Sequence, residues 1–249
     1  MRASRRTFAT VGLLLVAAAC RTGQESETSL TIVAAASLTD ALGEVATAFE
    51  EQHPGVDVQL TFDGSAKLAT AIVEGAPADL FASADAASLA KVAQEGLTTG
   101  EPVVVATNVL QIVVPEGNPG GIDSLDDLTN PELKLSLCGP EVPCGKYAAE
   151  AFEAGGLPVP AAGDQESVKG VLTQVQLGEA DAGIVYLTDV LAADGVDGVD
   201  LAPAEHVQAS YPATVLADAS NPELAATFLA FLTGAEAQAI LRDHGFGPP

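Results

Sequence analysis

The segment at residues 32–42, IVAAASLTDAL, constrains the fold more than any other part of this chain. An apolar run suited to a buried strand ends in three alanines, and apolar residues then recur at the helical period as far as residue 49. Ser37 and Asp40 fit the capping signature of a helix start. A strand that runs directly into a helix leaves unpaired N–H groups that can bind an anion. From this segment alone, Ser37 is either a helix cap or a binding group.

Strand-like and helix-like segments alternate along the rest of the chain, which is the pattern of an α/β protein. Predicted strands cover residues 30–35, 56–62, 80–83, 103–106, 111–114, 133–137, 182–185 and 211–216. Predicted helices cover residues 38–51, 66–74, 86–95, 146–154, 168–177, 222–232 and 235–244. Turn residues separate these segments at 53–55, 75–77, 115–121 and 192–198.

The Pro/Gly-rich patch at 115–121 interrupts this alternation and indicates two lobes. We expect one lobe to be built from both ends of the chain, residues 30–107 and 213–249, and the other from the middle, residues 108–212.

The first 19 residues have the features of an export signal, with three arginines followed by an apolar run at 11–19. Residues 4–8, SRRTF, resemble a twin-arginine signal, and AAAC at 17–20 resembles a lipobox. We expect removal of residues 1–19 and a lipid on Cys20, with residues 20–29 as an N-terminal linker. The mature chain would then be extracytoplasmic and anchored to the cell membrane. The alternative is cleavage at another position without a lipid.

The chain is strongly acidic, with a net charge of −24. The signal carries three arginines and no acidic residue, so its removal would take the net charge of the mature chain to −27. Such acidity disfavours nucleic acid and anionic membrane as partners. The chain has no tryptophan and few aromatic residues, which disfavours a site that stacks sugars or bases. About 230 mature residues can bury a sizeable core, and we expect a monomer.

Two cysteines, Cys138 and Cys144, lie six residues apart in LCGPEVPCG. In an oxidising compartment they are candidates for a disulfide whose main effect would be to fix the shape of a short loop. A metal-cation site would need further ligands, and the three histidines are scattered singly along the sequence. We therefore expect no bound metal cation.

Four further segments carry small or hydroxyl residues, or a phenol, at the corner between a strand and a helix. They are DGS at 63–65, PCG at 143–145, ES at 166–167 and the strand end GIVY at 183–186. Each is common by itself, since capping residues occur at such corners in every α/β fold.

Together with their neighbours, these segments resemble the molybdate-binding proteins of ABC importers. The resemblance rests on AAASLTDAL (34–42), the Gly-Ser turn before LATAI (68–72), EGAPADLFASAD (74–85), PEVPCGKYA (140–148), GIVYLTD (183–189), YPATV (211–215) and FLAFLTGAEAQAILRDHGF (228–246). It covers nearly the whole mature chain. It implies a two-lobed periplasmic-binding-protein fold of type II, each lobe a mixed sheet flanked by helices. Such a protein closes on one tetrahedral oxyanion and delivers it to a membrane permease.

The resemblance also implies which residues bind the ligand. That ligand would be molybdate or tungstate, which are similar in size, and no cofactor is expected. Carried over position by position, the ligand positions are Ser37, Ser65, Cys144, Val168 and Tyr186. The two serines would offer a hydroxyl and an N–H, Tyr186 its phenol, and the other two their backbone N–H. The chain departs from the pattern at Asp63-Gly64 and at Cys144, which bears on loop geometry more than on ligand class.

The chemistry of the ligand supports this assignment independently. Molybdate at neutral pH is a fully ionised dianion whose oxygens only accept hydrogen bonds, so N–H groups, hydroxyls and helix N-termini suffice to bind it. Hydrogen phosphate would also need an acceptor carboxylate, and the nearness of Asp63 to Ser65 keeps that alternative open. Sulfate has the same charge and shape as molybdate, so the site could distinguish the two only by the size of the cavity.

An enzyme is the alternative from another class, and the sequence favours it least. Ser37 lacks a histidine in a triad-like setting, and neither a G-x-S-x-G elbow nor a phosphate-binding Gly-rich loop is present. An oxyanion-ester enzyme is therefore not expected. A structural surface lipoprotein, the third class, would show no stabilisation by a ligand.

Three of the seven cations of the mature chain stand within two residues of a predicted ligand position. We refer to these residues, Lys67, Lys146 and Lys169, as the cleft lysines. One hypothesis is that they offset the acidic background at the mouth of the cleft and help an anion to approach. The alternative is chance placement on solvated helix faces.

Overall fold

The computed structural model describes residues 28–161 and 163–249, so the predicted signal segment and Cys20 lie outside the described residues. Within these ranges the chain forms eight strands: β1 (Thr28–Ala35), β2 (Val56–Asp63), β3 (Leu80–Ala82), β4 (Thr98–Pro115), β5 (Leu135–Ser136), β6 (Ala182–Tyr186), β7 (Val196–Asp200) and β8 (Gln208–Leu216). Eight α-helices accompany them: α1 (Thr39–Gln52), α2 (Ser65–Val73), α3 (Ala86–Gln94), α4 (Pro143–Ala154), α5 (Val168–Gln176), α6 (Leu187–Leu191), α7 (Pro222–Leu232) and α8 (Ala235–Asp243).

The strands form a mixed sheet in the order β2-β1-β3-β8-β4-β6-β5, with β7 also paired to β4. β1 runs parallel to β2 and β3, and β8 is antiparallel to β3. With α1–α3, α7 and α8, these strands make up the first lobe. β5, β6 and β7, with α4–α6, make up the second lobe. The predicted α/β fold with two lobes is confirmed.

The two lobes are connected through the long strand β4. Its first part pairs with β8, and residues 110–115 pair with β6 and β7. The sequence predicted two separate strands here, at 103–106 and 111–114, and that prediction was wrong. The segment between them stays extended because β8 supplies a partner as far as Val109. The residue boundaries predicted for the lobes stay a prediction.

Helix α1 illustrates how the sequence pattern builds the first lobe. Leu42, Val45 and Phe49 lie on one face of the helix and are fully buried. Phe49 contacts two aromatic residues of α7, with ring centroids 4.9 Å from Phe228 and 5.4 Å from Phe231. The helical spacing of these apolar residues thus gives α1 one buried face, which packs into the core of the first lobe and contacts α7.

Two elements escaped prediction because their sequences do not resemble regular structure. β7 has the sequence VDGVD, lies within and beyond the predicted turn at 192–198, and is held by pairing with β4. α6 is a single short helix that begins directly after Tyr186. The strand predicted at 133–137 is shorter in the structure, because only two residues of β5 pair with β6.

In the described part of the chain, no single helix has the length and apolar composition needed to cross a membrane. The pair α7 and α8, which meets at a 60° bend, meets those two criteria when taken together.

Candidate functional site

All five predicted ligand positions line one small cavity between the lobes. Its volume is only about 10 Å³, far below the roughly 300–1,000 Å³ of typical small-molecule pockets. Its lining residues are Ala35, Ala36, Ser37, Gly64, Ser65, Ala84, Val142, Pro143, Cys144, Val168 and Tyr186. A larger groove around residues 128–137, 158–161 and 163–164 lies on the second lobe and contains none of the five positions.

The cavity is surrounded by helix starts, which explains why backbone N–H groups face it. Ser65 and Val168 are the first residues of α2 and α5, and Cys144 is the second residue of α4. Ser37 lies in the 3-10 turn Ala36–Leu38 that precedes α1. The first N–H groups of a helix have no carbonyl partner within the helix. They also carry the positive end of the helix dipole, so this arrangement favours an anion.

Three hydroxyl groups add side-chain donors to the cavity wall. The Ser37 hydroxyl is 2.8 Å from the Tyr211 hydroxyl, and Ser65 Oγ accepts a hydrogen bond of 2.9 Å from the N–H of Ala84. The hydroxyl of Tyr186 is buried and has no hydrogen-bond partner within the described chain. Burial raises the pKa of Tyr186 well above its usual value, so the phenol keeps its proton at neutral pH.

Of the two roles that the sequence left open for Ser37, the structure does not show the capping role. α1 begins at Thr39, and no side chain caps either this helix or the preceding 3-10 turn. A 3-10 turn follows β1 at residues 36–38, so Leu38 and not Ser37 stands in the capping position of α1. Asp40, the other half of the predicted signature, instead forms an ion pair with Lys169. The side chain of Ser37 is therefore not engaged by the N-terminus of α1.

The start of α4 is fixed by a disulfide between Cys138 and Cys144. The sulfur of Cys144 is used in this bond, so its backbone N–H is the group available to a ligand. The next residue, Gly145, packs so closely that a Cβ there would lie 2.1 Å from the carbonyl oxygen of Gly139. Disulfide and glycine together hold the first turn of α4 against the loop that follows β5.

The cleft lysines each form an ion pair that joins the two lobes. Lys67 in the first lobe lies 2.9 Å from Glu166 in the second. Lys146 lies 3.2 Å from Asp85, and Lys169 lies 3.2 Å from Asp40. The hydrogen bond with Asp63 is the largest influence on the pKa of Lys67 and raises it, and the hydrogen bond with Glu166 raises it further. Lys67 is therefore protonated at neutral pH. The lobes are thus held together around the cavity by opposite charges.

A buried carboxylate, Asp189, supports the second lobe's side of the cavity. Its Oδ2 accepts a hydrogen bond of 3.2 Å from the N–H of Tyr186, and its Oδ1 lies 3.4 Å from Nζ of Lys169. Burial is the largest influence and raises its pKa to about 6, against the opposing effect of the lysine charge. Asp189 therefore connects the strand end that carries Tyr186 with the first turn of α5.

The lobes also touch at the rim of the cavity. A Cβ added to Gly64, the residue before α2, would lie 1.9 Å from the carbonyl oxygen of Glu166, two residues before α5. Because this contact and the three ion pairs all cross the cleft, the structure has the lobes closed.

None of the described residues that line the cavity carries a carboxylate, so the side chains of the lining offer donors and no charged acceptor. Asp63 accepts a hydrogen bond from the N–H of Gly64 and pairs with Lys67 at 2.9 Å. The three histidines hydrogen-bond elsewhere: His53 to Phe49, His206 to Leu201 and His244 to Glu44. None of them therefore activates a serine of the cavity.

Two polar residues behind the site were not singled out from the sequence. Tyr211 in β8 contacts Ser37, and Asn108 in β4 contacts Tyr211. Tyr211 opens the YPATV segment, which was the available signal. Asn108 carries none, because its role depends on strand pairing between β4 and β8.

Comparisons with known proteins agree with this geometry. A family model described as bacterial extracellular solute-binding protein matches residues 30–247. The molybdate-binding protein ModA of Mycobacterium tuberculosis is 41% identical over 222 residues, which are 89% of this chain and 85% of that protein. The putative ABC transporter substrate-binding lipoprotein YvgL of Bacillus subtilis is 32% identical over 251 residues, 96% of each chain. The periplasmic molybdate-binding protein of Azotobacter vinelandii superposes with a TM-score of 0.76 at 24% identity, covering 88% of this chain and 99% of that one.

Proposed function

The chain belongs to the bacterial extracellular solute-binding proteins, and we propose that it captures molybdate between its two lobes and delivers it to the permease of an ABC importer. The observation that carries the proposal is the small cavity between the lobes, which is walled by helix starts and hydroxyl groups and has no carboxylate among the described residues that line it. The relatives named as molybdate-binding proteins support the same ligand.

The anion would be bound by the five positions that line the cavity. Ser37, Ser65 and Tyr186 would each donate a hydroxyl proton, and the backbone N–H groups at Cys144 and Val168 would donate from the starts of α4 and α5. All these groups donate, which matches an anion whose four oxygens carry no proton. Tungstate has nearly the same size and charge, and we propose that it binds in the same way.

Capture would proceed by closure of the two lobes. Ser37 and Ser65 belong to the first lobe, whereas the other three positions belong to the second, so the donor set is complete only when the lobes meet. The contact between Gly64 and Glu166 and the ion pairs of the cleft lysines act in that closed state. The same lysines, when the lobes are apart, would attract an anion towards an otherwise acidic protein.

Two other anions fit the site less well. Hydrogen phosphate would place its proton against donors, because Asp63 is engaged by Lys67 and lies outside the lining. Sulfate carries the same charge as molybdate but is smaller, so it would make fewer simultaneous hydrogen bonds with the same walls. The relatives are transport proteins, and we infer no catalytic step.

The position of the protein in the cell follows from its family and its N-terminus. Extracellular solute-binding proteins act outside the cytoplasm. We propose that residues 1–19 direct export, that Cys20 carries a lipid anchor, and that the protein works as a monomer beside its membrane permease.

Calorimetric titration of the purified protein with molybdate, tungstate, sulfate and hydrogen phosphate tests the proposal. We expect one molybdate per chain, similar binding of tungstate, and much weaker heats with the other two. A melting temperature that rises with molybdate would accompany binding, because a ligand of the folded state stabilises it by mass action. Binding of phosphate with no response to molybdate would overturn the assignment.

A further inference from the structure

The hydroxyl of Ser37 is connected to a buried polar chain that lies behind the cavity wall. Tyr211, which is fully buried, has its hydroxyl 2.8 Å from Ser37 Oγ. The side-chain amide of Asn108 donates to that phenol at 3.4 Å and to Thr188 Oγ1 at 2.9 Å. The orientation of this amide is set by its oxygen, which accepts a hydrogen bond of 2.9 Å from the N–H of Val109.

The direction of the hydrogen bond between Tyr211 and Ser37 follows from counting protons. A phenol has one proton to donate, and the oxygen of Tyr211 already accepts from Asn108. If Ser37 also donated to that oxygen, the Tyr211 proton would be buried without an acceptor, which is unfavourable. If Tyr211 donates to Ser37, the Tyr211 proton has an acceptor, and the remaining proton is that of Ser37, which lines the cavity and can use it for a ligand. Burial raises the pKa of Tyr211, so the proton stays in place.

We propose that Tyr211, oriented by Asn108, is a positioning residue that makes Ser37 donate its own proton into the cavity and thereby selects fully deprotonated oxyanions. This inference rests on the proposed function. Ser37 receives a proton from Tyr211, so its remaining proton is free to point at the ligand. An oxyanion that still carries a proton would meet a donor at this position instead of an acceptor.

The second serine of the cavity is polarised in the same way, which supports the inference. Ser65 Oγ accepts the N–H of Ala84 at 2.9 Å, so its proton is likewise left for the ligand. In that case the donor is a backbone group that cannot be removed by substitution. Tyr211 is the corresponding donor for Ser37, and it can be removed by deleting one oxygen atom.

Tyr211 also has a packing role, and the test must separate the two roles. Its ring makes edge contacts with Tyr186 and Phe246, with centroid distances of 6.0 Å and 5.4 Å. Tyr211→Phe keeps these contacts and removes only the hydroxyl. The matched control is Tyr147→Phe, because Tyr147 is the third tyrosine of the chain, lies in α4 and does not line the cavity.

The experiment is a double-mutant cycle read by calorimetry with molybdate. We expect Tyr211→Phe to raise the Kd for molybdate about tenfold, because the Ser37 hydroxyl can then turn away from the ligand. In a Ser37→Ala background the same substitution should change the Kd less than about twofold. A full tenfold effect in that background would overturn the proposal, since the hydroxyl of Tyr211 would then act independently of Ser37.

The second readout is selectivity, which a packing role would not change. Hydrogen arsenate is a tetrahedral anion that carries one proton at neutral pH. We expect the ratio of its Kd to that of molybdate to fall about tenfold in Tyr211→Phe and to stay unchanged in Tyr147→Phe, because a freed Ser37 can accept a proton. An unchanged ratio in Tyr211→Phe would contradict the inference.

A milder variant guards against loss of folding. Asn108→Ala keeps Tyr211 but allows its hydroxyl to reverse, so the selectivity ratio should fall in the same direction. Wild-type selectivity in this variant would show that Asn108 does not orient the hydroxyl of Tyr211. Failure of the proposed function is distinguishable, since the wild-type protein would then not bind molybdate at all.

Discussion

Gly64 provides a test of lobe closure, because its contact forms only when the lobes meet. Its backbone has φ −60° and ψ 133°, a conformation open to any residue, so alanine causes no local strain. In the closed structure, however, the added Cβ would lie 1.9 Å from the carbonyl oxygen of Glu166. Gly64→Ala should therefore oppose closure while leaving the separate lobes intact.

The size of the effect follows from this distance. Cβ contacts shorter than 3.0 Å are essentially never seen, so the lobes must stay about 1.1 Å further apart at this point. Hydrogen bonds of about 2.9 Å from the second lobe to the anion would stretch beyond bonding range. Each hydrogen bond to a charged group contributes about 1.5–3 kcal/mol. Losing one or two costs about 3 kcal/mol, or a rise of about 100-fold in the Kd for molybdate.

Calorimetry and small-angle X-ray scattering measure the two consequences. Wild-type protein should become more compact with molybdate, whereas Gly64→Ala should bind weakly and compact less. Its ligand-free stability should be unchanged or about 0.4–1 kcal/mol higher, because alanine restricts the unfolded chain. Gly43→Ala is the control, since a Cβ there meets nothing within 4 Å. Wild-type affinity and compaction in Gly64→Ala would refute the closure argument.

Three further substitutions test other parts of the structure. Replacing the cleft lysines by glutamine should speed molybdate release about tenfold, because the three ion pairs that join the closed lobes are lost together. The same change should slow binding mainly at low salt; stopped-flow rates unchanged in both directions would contradict this. Replacing Cys138 and Cys144 by alanine should lower the free energy of unfolding by about 2 kcal/mol in denaturant titrations, and an unchanged midpoint would show that the disulfide does not stabilise the fold. Burial raises the pKa of Asp189 to about 6, so its folded carboxyl binds a proton more tightly than the unfolded one. Its contribution to stability is full at low pH and is lost as pH rises from about 4 through 6. The melting temperature of Asp189→Asn should therefore rise relative to that of the wild type as pH increases over that range. Parallel pH profiles of the two proteins would show that the pKa of Asp189 is not raised.

The regular elements could be predicted where one side of the element is buried. The apolar spacing that predicted α1 corresponds to residues such as Val45 and Phe49, which are fully buried in the structure. β7 could not be predicted in this way, because its sequence, VDGVD, lacks the apolar–polar alternation of a half-buried strand, and its regularity comes from pairing with β4. The capping pattern at Ser37 was misleading for a similar reason, since a 3-10 turn displaced the start of the helix.

The sequence indicated the five positions of the site, but not the residues that hold them. Small residues at helix starts and the family resemblance identify the cavity wall, because both are local in sequence. The contact between Ser37 and Tyr211 spans 174 residues. The partners of the cleft lysines are similarly remote, since Lys67 and Glu166 lie 99 residues apart. Such pairs depend on how the strands are ordered in the sheet and how the lobes meet, which no local pattern encodes.

A crystal structure with molybdate, located by anomalous scattering at the molybdenum absorption edge, tests the central claim most directly. The account predicts one molybdenum peak between the lobes, with its oxygens within hydrogen-bond distance of the hydroxyls of Ser37, Ser65 and Tyr186 and of the N–H groups of Cys144 and Val168. A peak outside this cavity, or an anion whose oxygens contact none of these donors, would contradict it.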